Sequence, residues 1–187
     1  MEREIFFTAR NTYDSENNSE FSWQNYLEWS KLYHLKELVS LDGILNELSF
    51  TPDFASETEW KYIITDQNMV AVFFNSINYV LKKVKDLKYF NLLAVIKEPK
   101  SENANLNAEY DFIGYDLVEK DGDISALTNC GGFDETFSPQ ELNQYGLITE
   151  YNKAKKIQYK LIENNPDEHH ADCYLYEVWR HKTIGRK

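Results

Sequence analysis

The stretch Tyr89 to Lys97, YFNLLAVIK, decides the reading of the fold. It is apolar with hardly a break and closes two residues before Pro99. A strand with one wet face alternates apolar and polar side chains, whereas a strand covered on both faces reads as a continuous apolar run. The stretch therefore predicts a central strand with chain packed above and below it. Its heart, LLAVI at 92–96, is the longest apolar run present and falls far short of the roughly 20 residues that a bilayer-crossing helix takes.

Upstream of this strand, Ile77, Val80, Leu81, Val84 and Leu87 recur at helical spacing, with Asn75 or Ser76 placed to cap the start. Lys82, Lys83, Lys85 and Lys88 crowd the end, where the helix dipole favours cations. WKYIIT (60–65) is a strand candidate, and FTPDFASETE (50–59) reads as a loop because Pro52 restricts Thr51. Leu38, Leu41, Leu45 and Leu48 predict a helix over 35–48. Another is predicted from the cap Ser22, with Trp23, Tyr26, Leu27, Ser30 and Tyr33 on one face. EREIFFTAR is a short strand, followed by a polar loop at 11–20.

Downstream, a polar loop at 99–109 leads into a predicted hairpin, YDFIGYDLVEKDGDISALTNC (110–130), turning at Asp121-Gly122. Ser138, Pro139 and Glu141 have the pattern of a helix start, with Gly146 as its stop. A longer helix is expected from Leu147, Ile148, Tyr151, Ala154, Ile157, Leu161 and Ile162, ending before Pro166. CYLYEVWRH (173–181) alternates and is the last strand; KTIGRK reads as a frayed tail. Strands and helices mix without strict alternation. The expected fold is α+β: one domain over 1–187, a mixed or mostly antiparallel sheet with helices packed on it.

The composition narrows function. Asp plus Glu number 31 against 20 Lys plus Arg, a formal charge of −11. A field of that sign repels nucleic-acid phosphates and anionic lipid, so neither nucleic acid nor membrane is an expected partner. It attracts a basic protein. Aromatic residues make up 15% of the chain, too many for a disordered segment. The opening MEREIFFTARNTYDSENN has mixed charge and no export pattern, which points to a reducing cytoplasm. Cys130 and Cys173 are then thiols.

One polar run invites a chemical reading. PDEHHADC (166–173) brings His169, His170, Asp172 and Cys173 to the mouth of the last strand, and Asn129-Cys130-Gly131-Gly132 ends the hairpin. Were the last strand to lie beside the 123–129 strand, Cys130 and Cys173 would come close. Thiolate and imidazole together suit zinc, although neither C-x-x-C nor H-x-x-x-H spacing is present. Alternatively Cys130 is a nucleophile activated by His169 or His170 and oriented by Asp172. The plainer alternative makes Cys130 a small buried residue and PDEHH a polar lead-in to the strand. Trp29 falls off the apolar stripe of its helix and is a candidate anchor for a partner. The sequence holds no phosphate-binding loop, dinucleotide fingerprint, serine-hydrolase elbow or zincin motif, and no cofactor is expected.

The run ISALTNCGGFDETFSPQELNQYGLI, with NNPDEHHADCYLYEVWR, resembles a family of small, uncharacterised bacterial cytoplasmic proteins over the last third of the chain. In size and acidity the chain is also similar to the immunity proteins of bacterial toxin systems, a likeness of type that implies protein binding and transfers no residues. The leading expectation is an acidic protein-binding module for a basic partner. A thiol- or metal-dependent enzyme using Cys130, His169, His170, Asp172 and Cys173 is the second, and a small-ligand sensor with an aromatic pocket the third.

Overall fold

In the computed structural model, residues 4–17, 22–50, 59, 61–64, 73–84, 89–102, 105–120, 124–129, 136–168 and 171–185 are described. Among them six strands form one sheet: β1 (Phe6–Asn11), β2 (Ile63–Ile64), β3 (Phe73–Phe74), β4 (Phe90–Lys97), β5 (Tyr110–Glu119) and β6 (Cys173–His181). Their order is β2-β3-β1-β4-β6-β5, and every pairing is antiparallel. The expected α+β architecture with a mostly antiparallel sheet is thus the one found. The YFNLLAVIK strand is central, flanked by β1 and β6, and Phe90 to Ile96 are all buried.

The period of two sends β4 into two cores. Phe90 and Leu92 join Ala9, Phe74, Tyr79 and Val80 on one face. Leu93 and Val95 join Val39, Leu41, Leu147, Tyr176 and Val178 on the other. Helices α2 (Ile77–Lys83) and α3 (Tyr151–Asn164) cover the first face. The second face is covered by two irregular segments, around 38–41 and 145–147. Burying each Leu, Val or Phe side chain in such a core contributes about 1.5–3 kcal/mol.

The capped helices appear as their caps predict, but shorter. Ser22 Oγ accepts from Asn25 N at 3.3 Å and opens α1 (Trp23–Ser30), which ends at Lys31 in the left-handed region (φ 60). Tyr33 therefore lies beyond the helix and is exposed. Ser76 caps α2 through Tyr79 N. The expected extension of α2 through Leu87 and Lys88 falls outside the described residues. α3 begins at Tyr151, so Leu147 and Ile148 are not helical, and Ile162 is exposed.

The helix expected over 35–48 is absent. Leu38 N bonds Tyr13 O, Val39 N bonds Tyr145 O, and Asp42 Oδ1 takes the amides of Ile44 and Leu45, each at 2.7 Å. Ser40 and Asp42 offer the backbone a local alternative to helical bonds, and they win here. The helix expected after Ser138 is a single 3₁₀ turn, Pro139–Glu141, held by Ser138 N on Glu141 Oε2 at 2.7 Å.

The hairpin also resolves differently. The long partner of β5 is β6, running from Tyr110↔His181 to Glu119↔Cys173. The stretch after the turn makes one bridge, Val118↔Ser125, on the opposite edge of β5. With the Tyr115↔Ile148 bridge it covers an edge that would otherwise template pairing with another chain. The tail is ordered through Gly185: His181 Nδ1 accepts from Thr183 N and Ile184 N, and Ile184 packs on the core. No helix among the described residues is long and apolar enough to cross a membrane.

Candidate functional site

The polar run at the mouth of β6 is divided between core and solvent. Cys173 points inward, 1% exposed, against α3 and β5. Asp172 is exposed and pairs with Lys120 Nζ at 2.6 Å. Cys173 is the first residue of β6 and Asp172 lies in the bend before it, one buried and one exposed, so these two do not share a site. The assumed neighbour is also corrected: β5 lies between β6 and the 124–129 stretch. Cys130, His169 and His170 lie outside the described residues. Among the described residues no three His, Cys, Asp or Glu side chains group to hold a metal ion.

A different site emerges where β1 leaves the sheet. Asp14 Oδ1 accepts from Glu16 N and Asn17 N, both at 2.8 Å, folding the polar loop into a tight turn. This turn, with Thr12, forms one wall of a cleft of about 570 Å³. Lys36 and Glu37 form the second wall, Gln144 and Tyr145 the third, and the Tyr89 phenol lies at the edge. The register Asn11↔Phe90 and the Thr12 N–Tyr89 O bond at 2.8 Å bring the first and last of these together. Lys36 N on Gln144 O at 3.0 Å joins the other two walls.

Tyr89 adopts φ 62 and is 53% exposed. A left-handed conformation costs an L-residue about 1–2 kcal/mol. Its ring has no aromatic or cationic neighbour among the described residues. The Asp14 and Glu16 carboxylates likewise have no ion-pair partner among them.

The floor is built differently. Glu37 is 3% exposed, and its carboxylate accepts from Asn91 Nδ2 at 2.6 Å and Arg180 Nη1 at 3.1 Å. Arg180 also donates to Tyr145 Oη at 3.0 Å and lies over that ring, 4.5 Å from its centre. Asn91 is 1% exposed, and its Oδ1 has no hydrogen-bond partner. Thr12 Oγ1, on the wall, is buried and also unpaired.

On the same sheet face, a buried network fixes the 40–46 segment. Asp116 Oδ2 accepts from Leu41 N at 2.8 Å, and Oδ1 from Leu117 N at 2.9 Å and Ser125 Oγ at 2.7 Å. Asp42 Oδ2 accepts from Ser125 N at 2.9 Å and Asn129 Nδ2 at 2.8 Å. Both carboxylates are fully buried. Burial, opposed by the Leu41 and Ser125 hydrogen bonds, pushes the Asp116 carboxyl up to about 6. Every donor around these acids belongs to the chain itself, so the network is architectural.

The fold and site together define an α+β protein with an open, carboxylate-bearing cleft. No protein family, curated protein or solved structure matches the chain.

Proposed function

We propose that this protein is an acidic binding module for a basic protein partner, of the immunity-like type. The observation that carries this reading is the charge distribution: −11 overall, with Asp14 and Glu16 unpaired at the rim of the cleft. Such a field speeds encounter with a cationic surface. Trp29, 45% exposed and tilted against Tyr26 at 6.1 Å, supplies a preordered aromatic anchor.

The test is affinity purification from the source cell at low salt, followed by binding kinetics with the purified partner. A basic protein is expected in equimolar complex. Its association rate should fall at least about tenfold between about 0.02 M and about 0.3 M salt, as the Debye length contracts from about 20 Å to about 6 Å. Trp29→Ala should raise Kd about 30-fold. Recovery of no basic protein, or of one whose association ignores salt, overturns the reading.

A further inference from the structure

Resting on that reading, we infer that the cleft beside Tyr89 is the seat of one arginine side chain of the partner. Donors and acceptors around the cleft do not balance. Around the cleft, Asp14 Oδ2 and the Glu16 carboxylate have no partner among the described residues. Thr12 Oγ1 is a buried, unpaired group on its wall. Asn91, which does not itself line the cleft, has a buried, unpaired Oδ1 and holds the lining residue Glu37 through its Nδ2 at 2.6 Å. Against these stand, among the described lining residues, the exposed Lys36 ammonium and the Tyr89 and Gln144 side chains; the Arg180 guanidinium beside them is already paired with Glu37. A site with a surplus of acceptors calls for a ligand that brings donors and positive charge.

Guanidinium fits better than ammonium. It carries five N–H donors in a planar fork, against three on a lysine, and it stacks on aromatic rings. The molecule already seats one guanidinium beside the cleft in that manner: Arg180 is forked between Glu37 and Tyr145 and lies over the Tyr145 ring. Tyr89, half exposed, and the Asp14–Glu16 turn line the same cleft and offer a phenol ring and carboxylates to a second guanidinium. Lys36 limits the seat to a single positive charge, since a second cation would meet its ammonium. A volume of about 570 Å³ accommodates one long side chain and its water.

The probe is N-acetylarginine amide, titrated into the isotope-labelled full chain and followed by amide resonances. Saturable shifts are expected at Asn17, Lys36, Tyr89 and Tyr145, with Kd of about 1 mM, the range of a single side chain. N-acetylcitrulline amide, of the same shape but neutral, should bind at least about tenfold more weakly. The double variant Asp14→Asn/Glu16→Gln keeps the turn acceptor and should lose about tenfold. Glu163→Gln/Asp167→Asn, the same change of charge on exposed residues elsewhere, should lose nothing. Tyr89→Asn tolerates the left-handed backbone and should lose about threefold.

Absence of saturable shifts overturns the inference, as does citrulline binding equal to arginine. Equal losses in the two double variants would assign the effect to the general field and overturn it too. Each of those results leaves the purification of a basic partner standing. Failure of that purification, with the cleft still binding arginine, would instead overturn the wider reading alone.

Discussion

Asp116→Ala is expected to destabilise the protein by about 5 kcal/mol near pH 4 and by only about 2 kcal/mol near pH 7. The loss arises because the substitution leaves the Leu41 and Leu117 amides without acceptors inside the protein. Each orphaned buried donor costs about 1–3 kcal/mol. The Ser40 hydroxyl can turn fully to Thr128 Oγ1, already at 3.0 Å, so it adds little. The segment released, 40–46, is the one that replaces an expected helix and closes the second sheet face.

The pH dependence runs opposite to that of an ordinary structural aspartate. Burial raises the folded-state pKa of Asp116 from 3.8 to about 6. Between those values the folded chain holds a proton that the unfolded chain has released. Stability from this group is therefore fully present below about pH 4 and is lost as pH rises through about 6. The difference amounts to about 3 kcal/mol. The wild type loses it on neutralisation and the alanine variant does not, so the gap between them narrows with rising pH. Urea unfolding of both proteins at the two pH values reads it directly, and a gap that does not narrow with rising pH would show Asp116 to be ionised throughout. Asp116→Asn should fall between: the amide fits the space, but either orientation turns its NH₂ towards a backbone N–H.

The sheet was legible where a strand's own pattern matches its burial. Phe90 to Ile96 is central because, Asn91 apart, nothing in it needs water; CYLYEVWRH runs the full length of β6, although its alternation predicts one wet face and both are largely covered. Ser22 and Ser76 marked helix starts because a cap is a local device, decided within three residues. The segment 35–48 misled because leucines at helical spacing carry no information about what their backbone bonds to. Its amides bond to Tyr13, Tyr145 and Asp42, and only the last lies within reading distance. Ser40, Asp42 and Gly43 were the available signal against a helix.

The cleft was illegible for a related reason. Its walls come from residues 12–17, 36–37, 89 and 144–145, and their meeting depends on a strand register. The stretch after β1 reads as a polar loop, but nothing in its own sequence says that Asp14 folds it back towards Tyr89. The residues of PDEHHADC are adjacent in sequence, yet at the entry to β6 Asp172 turns to solvent and Lys120 while Cys173 turns into the core.

Gly114→Ala is the second substitution expected to have a large effect, about 3–4 kcal/mol of stability together with loss of arginine binding in the cleft. Gly114 stands at the register shift in the β5–β6 pairing, with φ 144, a conformation that L side chains rarely adopt. A Cβ there would lie 2.5 Å from Leu147 Cβ and 3.0 Å from Ile148 O. Neither atom is the far end of a flexible side chain. Ile148 is tied to the next residue by paired bonds, Tyr115 N to Ile148 O at 2.7 Å and Ile148 N to Tyr115 O at 3.0 Å. Asn143, which bonds Ile113 O at 2.7 Å, is held on the same edge. Relief must therefore come from movement of the whole 143–148 segment away from β5. That segment carries Gln144 and Tyr145, one wall of the cleft, and Tyr145 Oη accepts from Arg180 on the floor. The substitution lies outside the cleft lining, so a thermal midpoint lowered together with weakened N-acetylarginine amide binding, measured well below that midpoint, would show that the glycine positions the wall. A variant that loses stability but binds the probe as the wild type does would mean that the segment yields at Leu147 and leaves Tyr145 in place.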